Sequence, residues 1–465
     1  MSARADRFDA VVLGGGPAGL AAAWYAARAG RRIALVERAP AVGGLAGSFD
    51  VAGIRVDHGS HRFHERSDPE LLADVRELLG PELQHRPRHG RIRLGGRWLA
   101  FPLRPADLLT KAPPAFAARA ARDLALGPVR ARRRVRDTFA DRVRAGLGPA
   151  VAEAFYEPYA RKLFGVGADE LSGELFARRV GARSGAGVLR RVLARGPRPG
   201  FWYPAGGFGR IPEVIADAAI AAGATILTGV GATSVSVDGD ATVGLADGTT
   251  LRTARVLSTL PAAVTTGLYG DLVDAPTRAA ASALTYRGAL LVYLVVPRRP
   301  YTEFDAHYFP ELSVPMARLS EPASYRTSPA DPPDRTVLCA ELPGSPADDW
   351  WSLDAPALGR LVAAALVAEG LPDPTPTEVV VRRVDHVSPV YRRGHDVHQR
   401  TLEAWSASRD ELVVFGRQPL FAHDNTHHGL AMGRAAASCL GPDGAFDRVR
   451  WTASLRSFRD HVVED

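Results

Sequence analysis

The sequence predicts an α/β protein: a Rossmann-like dinucleotide-binding domain, with a parallel sheet and a G-x-G-x-x-G loop, interleaved with a mixed α+β substrate domain. Three observations predict this. The first apolar run, VVLGGGPAGLAAAWYAARAGRRIALVER at 11–38, reads as strand, glycine turn, alanine-rich helix and a second strand closing on an acid. A length of 465 residues exceeds one ordinary core. A composition of 46% hydrophobic and 23% charged residues is that of a globular protein.

The glycine turn comes first. FDAVVLG delivers the chain to Gly14, Gly16 and Gly19. Gly14 permits the tight turn, Gly16 lets backbone approach a pyrophosphate, and Gly19 lets the helix pack closely on the strand. The helix N-terminus offers N–H groups and partial positive charge to that pyrophosphate. RRIALVE then ends on Glu37, 18 residues beyond Gly19. A carboxylate there can accept ribose hydroxyls and would repel a 2′-phosphate, which argues against NADP.

Composition excludes several classes. The net charge of +7 is mild for this length, and Lys111 and Lys162 are the only lysines. The densest basic run, VRARRRVRDTFADRVR at 129–144, alternates with apolar residues at helical spacing. It reads as a solvated helix face, with an anionic lipid or nucleotide-sugar contact as the alternative. No nucleic-acid motif accompanies it, so no nucleic-acid partner is expected. Cys339 and Cys439 are the only cysteines, leaving no disulfide framework and no multi-cysteine metal site. No run of 18 uncharged apolar residues occurs, and MSARADRFDA lacks an apolar h-region. A cytoplasmic enzyme without a membrane span is expected.

After Glu37 come RAPAVGGLAGSF, with its Gly43–Gly44 pair, and GIRVDHGSHRFH at 53–64. Here the chain resembles the flavoprotein superfamily of amine oxidases, protoporphyrinogen oxidases, phytoene desaturases and UDP-galactopyranose mutases. That resemblance implies FAD, with Arg38, Gly43, Gly44, Gly59, Ser60 and His61 lining it. His61 and His64 are otherwise loop histidines with surface partners. YPAGGFGRIPEVIADAAIAAGATILTGVGATSV (203–235) is similar to the block that opens the second part of such domains, and implies backbone from about Ala232 against the adenine. DGTTLRTARVLS reads as a hairpin feeding the parallel sheet.

ELVVFGRQPLFAHDNTHHGLAMGRAAASCL (411–440) gives a strand ending at Gly416–Arg417, an irregular loop, and a helix from near His427 or His428. Asp424, Asn425 and Thr426 are all capable N-caps. The resemblance places this helix N-terminus, with Asn425 and His427, at the flavin pyrimidine. His423, His427 and His428 lack a nearby acid at ligand spacing, so no metal is expected. No cysteine stands at 416–428, so FAD should be noncovalent. Residues 1–95, 203–285 and 386–465 would form the FAD domain; 96–202 and 286–385 would form a lid over the flavin.

FYEPYARKLFGVGADELSGELFARRV and HYFPELSVPMARLSEPASY resemble mutase segments that each carry a diphosphate-clamping arginine; the positions here are Arg179 and Arg318. The alternative is that Arg179 caps a helix and Arg318 pairs with Glu311 or Glu321. Mutases usually carry tyrosine where this chain has Phe421 and His423. The leading expectation is an FAD-dependent oxidoreductase moving hydride from a small molecule to flavin N5, with His61 as base or orienter and an anionic phosphate or carboxylate on the substrate. The competitor is a mutase-like isomerase that uses reduced flavin as nucleophile on a nucleotide sugar, with Arg179 and Arg318 as the clamp.

Overall fold

Arg7–Leu13 is the centre of the first sheet because Ala10 to Leu13 are apolar without interruption, as a strand buried on both faces requires. The structure, a computed structural model, describes residues 7–101, 107, 110–127, 137–180 and 200–463. Among them, Thr225–Thr228, Ile33–Glu37, Arg7–Leu13 and Thr250–Ser258 run parallel side by side, and Leu412–Val414 adds to Thr250–Ser258. Asp240–Leu245 and Ala232–Asp238 continue the sheet antiparallel. The DGTTLRTARVLS stretch therefore does close a hairpin and then enter the parallel sheet. The 411–440 block returns to the same sheet as the first glycine turn.

Helix Pro17–Arg28 is buried almost all round, because Thr426–Cys439 and Arg210–Ala221 both pack on it. Its alanines allow that approach, and Gly433 allows more: a Cβ there would lie 2.1 Å from the Ala18 carbonyl oxygen.

The second sheet runs Glu378–Pro389, Tyr286–Val296, Thr336–Gly344, Arg318–Ser320, Ala306–Tyr308, Gly90–Leu94, Arg97–Phe101. It reaches beyond the expected domain limits at both ends. Gly90–Leu94 pairs in parallel with Ala306–Tyr308, and Glu378–Pro389 pairs along nearly all of Tyr286–Val296. One face of this sheet is covered by helix Ala355–Ala368 through Leu358, Val362 and Leu366. The other, through Leu291, Tyr293, Val337 and Cys339, packs on Val51, Ile54 and Val56 of the hairpin Ser48–Val51/Ile54–Asp57. That hairpin joins the two sheets, and the loop leaving it carries the residues 58–61.

Among the described residues of 96–202, helices Pro114–Ala125, Phe139–Leu147, Glu157–Phe164 and Glu174–Val180 appear. Residues 129–136 of the basic run lie outside the described residues. In its second half, Phe139, Ala140 and Val143 are buried, whereas Arg142 and Arg144 pair with Asp137 and Glu157. That half is a solvated helix face. No helix of the described residues is long and apolar enough to cross a membrane.

Burial pushes the His307 imidazole, packed edge-on to Trp98, down to about 3. His428 is pushed to about 2, again mainly by burial. An unfolded histidine protonates near 6.5, so below that pH the unfolded chain binds more protons than the folded one. Stability therefore falls as pH drops from about 6.5 towards 3, by up to about 1.4 kcal/mol per pH unit per group. Urea midpoints should fall steeply across this window, and His307→Phe should flatten the slope; an unchanged slope refutes the assignment.

Candidate functional site

The first glycine turn is crowded everywhere except at one point. A Cβ at Gly14 (φ +103°) would lie 2.4 Å from Thr259 Oγ1, and one at Gly19 would lie 2.0 Å from the Gly14 carbonyl oxygen. Nothing lies within 4 Å of a Cβ built on Gly16. Gly14 and Gly19 thus serve the turn and the close packing, and Gly16 faces open space at the N-cap of Pro17–Arg28. The second glycine pair closes on the same spot. The Gly43 N–H donates to the Gly15 carbonyl at 2.8 Å, and a Gly44 Cβ would sit 3.2 Å from Gly16 Cα.

Glu37 stands beside this floor. Its Oε2 accepts the Gly15 N–H at 2.7 Å, and its Oε1 accepts the Ala39 N–H at 2.8 Å. Each oxygen keeps a lone pair for a further donor. The segment leading to Ala232 runs alongside: the Gly229 and Val230 N–H groups donate to the Ala39 and Glu37 carbonyls, and Gly231 backs onto the Arg38 stem. Gly229, Val230 and Gly231 were not singled out from sequence; the GVG pattern between two strands was their only signal.

The carboxyl-terminal block arrives from the other side. Gly416 (φ +101°) brings the chain against Ala18, where a Cβ would be 3.2 Å from Ala18 Cβ. The helix begins at Thr426 with Asn425 as N-cap, and His428 Nδ1 accepts the Asn425 N–H at 3.2 Å. A Cβ at Gly429 would lie 3.8 Å from Ala18 N, so two helix N-termini converge on one region. His427 is buried there, near Phe63 and His64.

The loop after Asp57 is tightly fixed. Asp57, fully buried, accepts from Ser48 Oγ (2.6 Å), Tyr203 Oη (2.5 Å) and the Phe208 N–H (3.0 Å), and Tyr293 Oη donates to its carbonyl (2.6 Å). His61 stacks on Phe208 and its Nε2 lies 3.0 Å from the His58 carbonyl. A carbonyl only accepts, so Nε2 carries the hydrogen and Nδ1 keeps its lone pair. Burial lowers the His61 pKa, against the opposing pull of Asp57, so the ring is neutral near pH 7. His61 is therefore equipped as a base rather than as an acid.

The two arginines expected to act together keep different company. Arg318 donates Nε and Nη2 to Glu341 Oε1 and Oε2, both at 2.9 Å, and Nη2 also reaches the Ser60 carbonyl at 3.2 Å. Its partner is neither Glu311 nor Glu321: Arg318 and Glu341 stand directly opposite on antiparallel strands, while Glu321 accepts the Tyr301 N–H. Arg179, in the last turn of Glu174–Val180, lies over the Phe164 ring with its Nε buried and unpartnered. Its charge lowers the pKa of both Arg417 and His423, after burial itself. Arg417 spends its two terminal nitrogens on the Asp424 and Val387 carbonyls, at 2.6 Å each. His423 is fully buried with neither ring nitrogen in a well-formed hydrogen bond.

Sequence reasoning passed over Arg62. Its guanidinium lies between the Phe201 and Tyr325 rings and donates to Tyr308 Oη at 3.1 Å, with Asp305 as counter-charge. The clue was an arginine set between His61 and Phe63 in the HRFH stretch. The premise that no acid stands near His423, His427 and His428 is corrected by the structure: Asp424 Oδ1 lies 3.5 Å from His428 Nδ1, and with His461 these groups could offer ligand atoms to one ion. His461, from the far end of the chain, puts Nδ1 3.2 Å from Asp424 Oδ1 and stacks on His428.

A family model described as flavin containing amine oxidoreductase matches residues 17–439. The chain belongs to that family. Its fold is that of a reduced UDP-galactopyranose mutase (TM-score 0.80, 21% identity, 92% of this chain and 93% of that one). It is also that of cyclohexylamine oxidase from Brevibacterium oxydans IH-35A (TM-score 0.67, 16% identity, 93% and 98%). An Exiguobacterium sp. 255-15 protein provisionally described as a protoporphyrinogen oxidase has TM-score 0.72 at 21% identity, over 92% and 97% of the two chains. Among curated proteins, the phytoene dehydrogenase of Streptomyces griseus is 40% identical over 76 residues, 16% of this chain. The thiamine thiazole synthase of Desulfosudis oleivorans is 61% identical over 36 residues, 8% of this chain. Each match spans only 14% of the curated relative's length. The family is one of flavin-containing amine oxidoreductases, which implies a flavin cofactor.

Gly19→Ala should lower the flavin-to-protein absorbance ratio at least several-fold and reduce the melting temperature. Gly267→Ala, on a helix with open space around it, should leave both unchanged or raise stability slightly. Equal behaviour of the two variants would show that the close contact at Gly19 is dispensable.

Proposed function

We propose that this chain binds FAD noncovalently and oxidises a small molecule bearing one anionic group. The observation that carries the cofactor is the open space before Gly16, where a glycine floor meets the N-termini of two helices. Backbone N–H groups and helix-end charge suit a pyrophosphate there. Glu37, at the end of the second strand, is the group for ribose hydroxyls. Neither cysteine stands in the 416–428 loop, and Cys339 and Cys439 are both buried.

Bound flavin would supply a two-electron acceptor for a hydride. The chain's own part is to hold, orient and deprotonate. His61 Nδ1, with the proton fixed on Nε2, can take a proton from an amine or alcohol as its C–H bond is oxidised. Arg179, with its unpartnered Nε beside His423, is the group for the substrate's carboxylate or phosphate. The converging N-terminus at Thr426 favours negative charge developing near it. A nucleotide-sugar isomerase would need a second free guanidinium, and Arg318 is already engaged.

The reading is tested on the yellow protein under anaerobic conditions. A substrate should bleach the flavin, and air should restore the colour. Turnover seen only after dithionite, with no net electron transfer, would replace the oxidase reading with the isomerase one. Arg179→Ala should raise KM for an anionic substrate about tenfold or more, with a smaller change in kcat; unchanged KM removes Arg179 from substrate binding.

A further inference from the structure

Thr336–Gly344 alternates. Leu338, Ala340 and Leu342 point into the core under helix Ala355–Ala368, while Val337 and Cys339 face the hairpin that ends at Asp57. Glu341 continues this second face and meets the loop leaving the hairpin. Its Oε1 accepts the Ser60 N–H at 2.8 Å, and Arg318, held on the same carboxylate, donates to the Ser60 carbonyl. One ion pair thus grips both backbone groups of Ser60. Ser60 Oγ is fixed as well, at 2.7 Å from Tyr325 Oη. Gly59, at φ +91°, turns the chain beside the carboxylate; a Cβ there would make an ordinary contact, 3.5 Å from Glu341 Oε1.

The bidentate geometry decides what Arg318 can still do. Nε and Nη2 face Glu341, and Nη2 is shared with Ser60, so any second anion would compete with a carboxylate already seated on the same edge. Only Nη1 is left, and the pair as a whole carries no net charge. Arg179 and Arg417, by contrast, have no carboxylate on them in the described structure.

We infer that Glu341 is a specificity-determining residue: it binds Arg318 to the Gly59–Ser60 loop, withdraws it from substrate recognition, and so makes the site reject a nucleoside diphosphate while still admitting a singly anionic group at Arg179. This rests on the proposed placement of flavin and substrate beside residues 59–61, and it narrows the substrate class within that reading.

The experiment uses flavin-loaded enzyme, UDP as probe, and both calorimetry and the flavin absorbance difference as readouts. Wild type should show no saturable UDP binding below millimolar concentrations, and Arg318→Ala should leave that unchanged within twofold. Glu341→Gln, nearly isosteric, and Glu341→Ala should each bind UDP at least tenfold more tightly, and the gain should vanish in Glu341→Ala/Arg318→Ala. Micromolar UDP binding by wild type that drops tenfold in Arg318→Ala overturns the inference. So does the absence of any gain in folded, flavin-loaded Glu341 variants. Protein that never takes up flavin defeats the oxidoreductase reading instead, and flavin content measured first separates the two failures. If neither Glu341 variant folds, the wild-type and Arg318→Ala titrations alone decide the outcome.

Discussion

Two places where only a hydrogen atom fits set the geometry of the whole cofactor region. At Gly19 a side-chain carbon would stand 2.0 Å from the Gly14 carbonyl oxygen, and at Gly433 it would stand 2.1 Å from that of Ala18 and 2.8 Å from Ala22 N. The first contact presses helix Pro17–Arg28 onto its strand; the second presses Thr426–Cys439 onto that helix. Chain segments more than four hundred residues apart are thereby held backbone to backbone. Their N-termini end up side by side, each carrying roughly half a positive charge. Like ends brought this close repel, and the pyrophosphate proposed above would relieve that repulsion if bound between them.

Much of this was legible because it is local. Strand, glycine turn, helix and acid lie within 27 consecutive positions from Val11 to Glu37, and each needs only its neighbours to be read. The helix start near 426 was readable for the same reason, with Asp424, Asn425 and Thr426 all left as possible caps and Asn425 the one used. Pairings between distant strands were not. Gly95 and Gly96, both at positive φ, do announce a hairpin between Gly90–Leu94 and Arg97–Phe101, yet nothing nearby says that it joins the second sheet. Register explains the error over Arg318: spacing alone offered Glu311 and Glu321, whereas the antiparallel ladder puts Glu341 opposite. Arg62 and His461 were hidden in the same way, since their partners Tyr308, Tyr325 and Asp424 are remote in the chain.

Burial and charge work together along the loop at 57–61. The Asp57 carboxylate is satisfied by two hydroxyls and one backbone N–H rather than by a guanidinium, which fixes direction as well as charge. Burial raises the Tyr203 pKa far above its ordinary range, so the phenol keeps its proton and remains a donor to Asp57. That network anchors one end of the loop and the Glu341–Arg318 pair anchors the other. His61 lies at the far end, on Phe208, whose own N–H is part of the Asp57 network. Its position is thus determined by segments remote from it in the chain as well as by its own loop.

The buried arginines fall into two classes, and the difference has a physical consequence. Arg62 and Arg318 each face a carboxylate, Asp305 and Glu341, and their desolvation is offset within the fold. Arg179 and Arg417 crowd each other near His423, and the only acid among the main influences on Arg417 is Asp424. Leaving positive charge so little compensated is costly in a dry interior, and a histidine kept neutral between them relieves only part of it. Such an arrangement persists where a ligand completes it. Among the described residues Arg417 already spends both terminal nitrogens on carbonyls, so Arg179 is the guanidinium with capacity left for an anion. Under the proposed function, a substrate anion would gain most there, where the protein has left the compensation undone.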